Sequence, residues 1–396
     1  MHITCFTSFS SKFETKLLPE NDIIIINVAD FGAKGDGKTD SSPSFLKAWT
    51  TACTSPKPTV IIIPCKRYFL SPIVFQGPCN NSNLSFHFNG SVLIAPDYTK
   101  IPSFSQSYWL MFYGVKGVSL IGGYLDSQGS SLWSCKLSGQ HNCPAGATSL
   151  TIYDSKDILI RNLISSNAKL YHIVVHTCKN VTLQSVGIYA PEKSPNTDGV
   201  HVQNSIDVCM LNTVIKTGDD CVSIGPGTRN LKILRVACGP GHGISIGSLG
   251  KELEEDGVEN VTVKNVVFTG TQNGLRIKSW GRPSNGFVRG VVFKQVVMNE
   301  VQNPIVIDQN YCPDPLTSGC PNQNSGIKIS NVTYADVKGT SASEVAMRFD
   351  CSASYPCKWI GLRDIKLTYQ ENQPAQSFCR NIRGIALGLV TPPSCL

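Results

Sequence analysis

The chain has 396 residues, 41% hydrophobic and 16% charged, with 34 glycines; this is the make-up of a folded, turn-rich protein and excludes a disordered one. A net charge of +7 suits an acidic partner, but without a dense Lys/Arg run or a basic amphipathic helix neither nucleic acid nor a membrane surface is an expected partner. Sixteen cysteines without one C-x-x-C pair argue against a zinc module and for disulfides made in an oxidising compartment.

Residues 1–26 contain Lys12, Glu14 and Lys16, and their longest apolar stretch is Ile23–Ile26. That is too short for the core of a signal peptide or for a membrane span. They are read as an N-terminal segment without a clear signal peptide, ahead of a single domain over 27–396. Next, GAKGDGKT (32–39) satisfies the phosphate-loop spacing after an apolar strand. Asp36 and Asp40 would set carboxylates against phosphates, however, and the alternating helices of a nucleotide-binding domain do not follow. The glycines are assigned to a tight turn. A helix comes after it: Asp40–Ser42 can cap it, Pro43 suits its first turn, and Phe45, Leu46, Trp49, Ala52 and Cys53 share one face. Such a helix would seal the open end of a solenoid.

From residue 158 onward, apolar residues recur at relative positions 0, 2, 5 and 7. The copies are Val181, Leu183, Val186, Ile188; Leu231, Ile233, Val236, Cys238; Val261, Val263, Val266, Phe268; Val291, Phe293, Val296, Met298; and Ile327, Ile329, Val332, Tyr334. Weaker copies begin at Ile158, Val208 and Ile360. Alternation within each copy marks a strand with one buried face. A second short strand follows in most copies, with inward pairs Val200/Val202, Val222/Ile224, Ile244/Ile246, Leu275/Ile277 and Ile305/Ile307. One such unit cannot bury its own apolar face, whereas stacked units can, so an all-β solenoid of parallel coils is expected.

Two residues before each second strand stand Asp198, Asp220, His242, Asn273 and Asn303. Equivalent positions in stacked coils form a column with a rise of about 4.8 Å. Asp198, Asp220 and His242 should therefore meet, joined by Asp219, while Arg276 and Lys278 face outward one coil further on. Three packed carboxylates cannot all ionise cheaply, so one should hold a proton as a general acid while another activates water. Arg276 and Lys278 can hold a substrate carboxylate. The chemistry indicated is glycosidic cleavage of an acidic sugar. Asn273 and Asn303 are expected to form a structural asparagine ladder.

The segments SPNTDGVHVQNS (194–205), TGDDCVSIGPG (217–227), CGPGHGISIGSLG (238–250) and RIKSW (276–280) resemble, in order, the four signature motifs of polygalacturonases, glycoside hydrolase family 28. The likeness runs from FGAKGDGKTD (31–40) through DQNYC (308–312) to the C-terminal cysteines. It implies a right-handed parallel β-helix that cleaves the α-1,4-galacturonosyl linkages of pectin with inversion. By resemblance Asp219 is the general acid, Asp198 and Asp220 activate water, and His242 assists the acid. Arg276 and Lys278 bind galacturonate carboxylate, and Asn196 and Tyr311 line the cleft. It further implies a Cys221–Cys238 bridge; Cys351 with Cys357 and Cys379 with Cys395 are the next pairs expected. No metal or cofactor is implied, the partner is an acidic polysaccharide, and a monomer is expected.

Six N-x-S/T sequons, at Asn80, Asn83, Asn89, Asn180, Asn260 and Asn331, join the cysteines in favouring a secreted, cell-wall protein. Two rival functions share this architecture. A lyase would use Ca²⁺ and an Arg base, against which the Asp/His/Arg-Lys set argues. A pectin-binding wall protein would keep the solenoid without turnover.

Overall fold

The computed structural model describes residues 23–100, 107–139, 142–312, 320–321, 323–370 and 373–396. Most of the 1–26 segment, and with it the question of a signal peptide, lies outside the described residues. The chain winds into a right-handed parallel β-helix, whose described residues form two sheets, one of 18 strands and one of 11. The 11-stranded sheet takes one strand from each coil, and its order along the axis follows the chain.

Each inward column is a row of register partners. Val181, Val208, Leu231, Val261 and Val291 pair in sequence along one, and Val200, Val222, Ile244, Leu275 and Ile305 share another. All are 1% exposed or less. Burying a Val, Leu or Ile side chain stabilises by roughly 1.5–3 kcal/mol, and stacking repeats this gain coil after coil. The copy expected to start at Ile327 is displaced by five residues. Val332 pairs with Val291, Tyr334 with Phe293 and Val337 with Val296, so the true copy begins at Val332. Its fourth position is Gly339, opposite Met298, and the apolar Ile327 and Ile329 upstream imitate a start.

The spacing 0, 2, 5, 7 has a backbone cause. The residue at relative position 4 is left-handed in every copy: Asn162, Ser185, Asn212, Arg235, Asn265, Gln295, Asp336 and Asp364, with φ between +53° and +57°. One left-handed residue turns the strand through a corner and uses up a position, so alternation resumes one residue late. A second left-handed column sits just before position 0, at Asp157, Asn180, Asp207, Asn230, Asn260, Gly290, Asn331 and Trp359. Asn and Asp tolerate this conformation best, and here their side chains also bond from coil to coil. Asn180 donates to Asp157 at 2.6 Å, Asn230 to Asp207 at 2.9 Å and Asn260 to Asn230 at 3.2 Å. The ladder expected at Asn273 and Asn303 is absent: they are register partners, but both amides donate to Gln272.

The helix Ser42–Thr54 closes the first coils. Phe45, Ala48, Trp49, Ala52 and Cys53 are buried, whereas Leu46 points outward at 38% exposure; Ala48 fills the place expected for it. Trp49 packs its ring 5.6 to 6.0 Å from Phe75, Phe86 and Phe112, and Cys53–Cys79 ties the helix to the second turn of chain. The phosphate-loop look-alike is a turn closed by Asp36, whose carboxylate accepts from Lys38 N and Thr39 N at 2.8 Å and from the Thr39 hydroxyl at 2.7 Å. Those N–H groups are thus taken by an internal anion.

Candidate active site

Asp198, Asp219–Asp220 and His242 stand just before consecutive strands of the 11-stranded sheet, Val200–Gln203, Val222–Ile224 and Ile244–Leu249. Main-chain bonds fix their spacing: Gly199 N donates to Asp220 O at 2.9 Å and His242 N to Asp219 O at 2.7 Å. Buried Thr197 and Thr217 join their hydroxyls at 2.8 Å, holding the segment of Asp198 against that of Asp219. The turn bearing His242 lies close because Gly241 (φ +145°) and Gly243 (φ +87°) have no Cβ; one would come 2.8 Å from Asp219 O and 2.1 Å from Asn273 O, respectively. Cys221–Cys238 clamps the same turn to the residue after Asp220. Cys351–Cys357 and Cys379–Cys395 close two later coils.

Asp220 is 1% exposed and holds both cations. Its Oδ1 accepts from Arg276 at 2.7 Å and from the Ser245 hydroxyl at 2.8 Å, and its Oδ2 accepts from Lys278 at 2.7 Å. Arg276 Nε also donates to Ser245 at 2.9 Å. Burial alone would raise the carboxyl, but Lys278 and Arg276 outweigh it and hold Asp220 below its ordinary value. Asp198, 7% exposed, goes the other way. Burial first, then the charges of Asp219 and Asp220, push it well above the usual carboxylate range. Asp219 is the more open of the three and accepts from Asp220 N at 2.8 Å; His242 Nδ1 stands 3.1 Å from the same oxygen. One carboxyl held low, one pushed high and one more open to solvent thus stand together before neighbouring strands.

A groove of about 990 Å³ opens over this cluster, with Asn196, Asp198, Asp219, Asp220, Lys278 and Tyr311 in its lining. Asn196 is exposed and left-handed at its rim. Tyr311 lies under the cations, its ring 5.1 Å from Lys278 Nζ and 6.0 Å from the Arg276 guanidinium. Donor atoms of Asp219, Asp220 and His242 fall within 4.8 Å of one another, close enough for a metal ion. Arg276, Lys278 and Ser245 already bond both Asp220 oxygens, and two cations in contact oppose a third.

Three polar residues escaped the sequence reading. His201, Ser223, Ser245 and Arg276 are register partners on four coils. Ser223 bonds His201 Nδ1 at 2.8 Å and also reaches Asp198, and His201 stacks on Tyr171 at 5.2 Å. The column was visible in the repeat, but only Arg276 carried a charge to draw attention to it.

Residues 53–394 match the model of Glycosyl hydrolases family 28. A polygalacturonase from Prunus persica is 55% identical over 93% of this chain and 93% of its own length. An exopolygalacturonase from Platanus acerifolia is 40% identical, over 93% and 97%. Among solved structures, a polygalacturonase from Erwinia carotovora superposes with a TM-score of 0.67 at 26% identity, covering 88% of this chain and 94% of that one. An endo-xylogalacturonan hydrolase from Aspergillus tubingensis reaches a TM-score of 0.78 at 21% identity, over 93% and 99%, a likeness of fold. With a family model matched over residues 53–394 and a relative 55% identical over 93% of the chain, this chain belongs to family 28 of the glycosyl hydrolases.

Proposed function

We propose that the protein is a polygalacturonase that hydrolyses α-1,4-galacturonosyl linkages of pectin with inversion, acting as a monomer at the cell wall. The observation that carries this reading is the gathering of Asp198, the more open Asp219, and Asp220 bonded to Arg276 and Lys278 in one groove. Asp219 donates the proton to the departing glycosidic oxygen, and Asp198 and Asp220 take the proton of the attacking water. His242 orients Asp219 through their contact. Arg276 and Lys278 keep Asp220 charged and retain further N–H donors for a substrate carboxylate, with Tyr311 packed beneath them and Asn196 at the rim.

Extracellular placement is supported by six disulfides among the described residues, and no described helix is long and apolar enough to cross a membrane. The test is release of reducing ends from polygalacturonate by the wild type and by Asp219→Asn. Loss of at least about a hundredfold in kcat with an unchanged circular dichroism spectrum is expected for removal of a general acid. Full activity of the variant removes Asp219 from the mechanism. Unsaturated, ultraviolet-absorbing products in place of saturated ones would replace hydrolysis by elimination.

A further inference from the structure

The groove differs along its length. On the side of the earlier coils its floor presents Met111, Thr148, Thr151, Tyr153, Tyr171 and His176, with no Lys or Arg among the described lining residues there. Tyr113, Tyr153 and His176 are register neighbours on successive coils, and their rings stack with centroids 5.6 and 5.0 Å apart. Tyr113 and Tyr153 are each 37% exposed, so the column offers aromatic surface to an occupant. Burial holds His176 below its ordinary pKa, which leaves its ring neutral at pH 7. Along the wall, Glu252, Glu254, Glu255 and Asp256 join the lining. Glu255 closes its own loop by accepting from Gly250 N and Lys251 N, and Glu254 accepts from Asn285. Seven carboxylates and two lysines, Lys251 and Lys278, line the groove, although the whole chain is basic at +7.

Fully ionised galacturonan carries one negative charge per sugar. Over this floor each charge would face the negative side of an aromatic ring, with no Lys or Arg among the described lining residues there to replace lost hydration. A methyl ester removes that charge and adds an apolar group that packs on the same rings. Resting on the polygalacturonase reading above, we propose that the groove takes partly methyl-esterified galacturonan: it requires a free carboxylate on the sugar beside Arg276 and Lys278 and accepts esterified sugars over the Tyr113–Tyr153–His176 column. The neutral floor and the single cationic station divide the substrate into a charged sugar at the cut and uncharged sugars on one side of it.

The experiment compares kcat/KM of the full chain on galacturonan that is de-esterified, partly and randomly esterified, or fully esterified, with mass spectrometry of the products. Expected are a rate on the partly esterified polymer at least equal to that on the de-esterified one, and products bearing esters on one side of the cut but not on the sugar held by the cations. The fully esterified polymer should resist cleavage. A rate that falls with every increment of esterification, and products free of esters near the cut, would overturn this inference and leave the polygalacturonase reading intact. No reducing ends from any of the three would overturn both. Tyr153→Lys supplies the missing cation and should shift the preference toward the de-esterified polymer by about fivefold or more. Glu252→Lys, on the exposed loop, should move it in the same direction and serves where Tyr153→Lys does not fold. An unchanged preference in a folded variant overturns the inference.

Discussion

Asp220 concentrates the electrostatics of the site in one side chain. Asp220→Asn would leave Arg276 and Lys278 buried against a neutral amide, which costs about 3–5 kcal/mol, read as a lower urea midpoint together with lost turnover. The sign of the pH effect follows from the direction of its shift. A carboxyl held below its unfolded value of about 3.9 stabilises the fold fully above that value, and the contribution is lost as pH falls through the folded value. Asp198 is shifted upward, so its contribution is present at low pH and fades as pH rises through its folded value. In the proposed mechanism turnover needs Asp220 ionised and one proton elsewhere in the cluster, so kcat should be bell-shaped with pH. Lys278→Met removes one of the two charges that lower Asp220 and should move the acid limb of that bell to higher pH. An unmoved limb would detach Asp220 from it. The acids, His242 and the cation pair were legible in the sequence because the repeat register predicts which coils they share. Ser223, Ser245 and His201 were not singled out, since a serine hydroxyl acquires meaning only from the atoms it meets.

At the scale of the coil, the left-handed corner residues are the testable part. Asn230 sits at φ +56° with ladder bonds on both sides. Asn230→Val forces a β-branched side chain into that conformation and should cost ~2 kcal/mol, whereas Asn230→Gly loses only the ladder bonds, about 1 kcal/mol. Equal melting temperatures for the two variants would remove the corner strain from the account. The apolar spacing of the coils could be read from sequence, but its cause could not. The corner residues at relative position 4 are Asn, Ser, Arg, Gln and Asp, all polar, as many outward residues elsewhere in the strands also are, and alike in neither charge nor size. The same weakness explains the displaced copy at Ile327. Gly339 takes a position that elsewhere holds Cys238, Phe268 or Met298, so the apolar pattern fitted better five residues early.

For the molecule as a whole, the seal at the first coil and the distribution of charge matter most. Trp49→Ala should cost about 3–5 kcal/mol and lower the melting temperature, while kcat per folded molecule stays unchanged because the acids lie several coils away. Excess chelator should leave the rate on polygalacturonate unaltered, given the occupied Asp220 oxygens; a chelator-sensitive rate would bring back a metal at Asp219, Asp220 and His242. Net charge and local charge differ. The +7 total suits a polyanion, yet among the charged residues that line the groove seven carboxylates outnumber two lysines, and a sum over the chain carries no information about where its members sit. One feature of the cross-links reaches beyond the finished structure. None of the six bridges spans more than 26 residues, and most span fewer. Each partner in these bridges lies within about one winding of its mate, so five of the six can close before the last sixteen residues have been made, and only Cys379–Cys395 waits for the C-terminus.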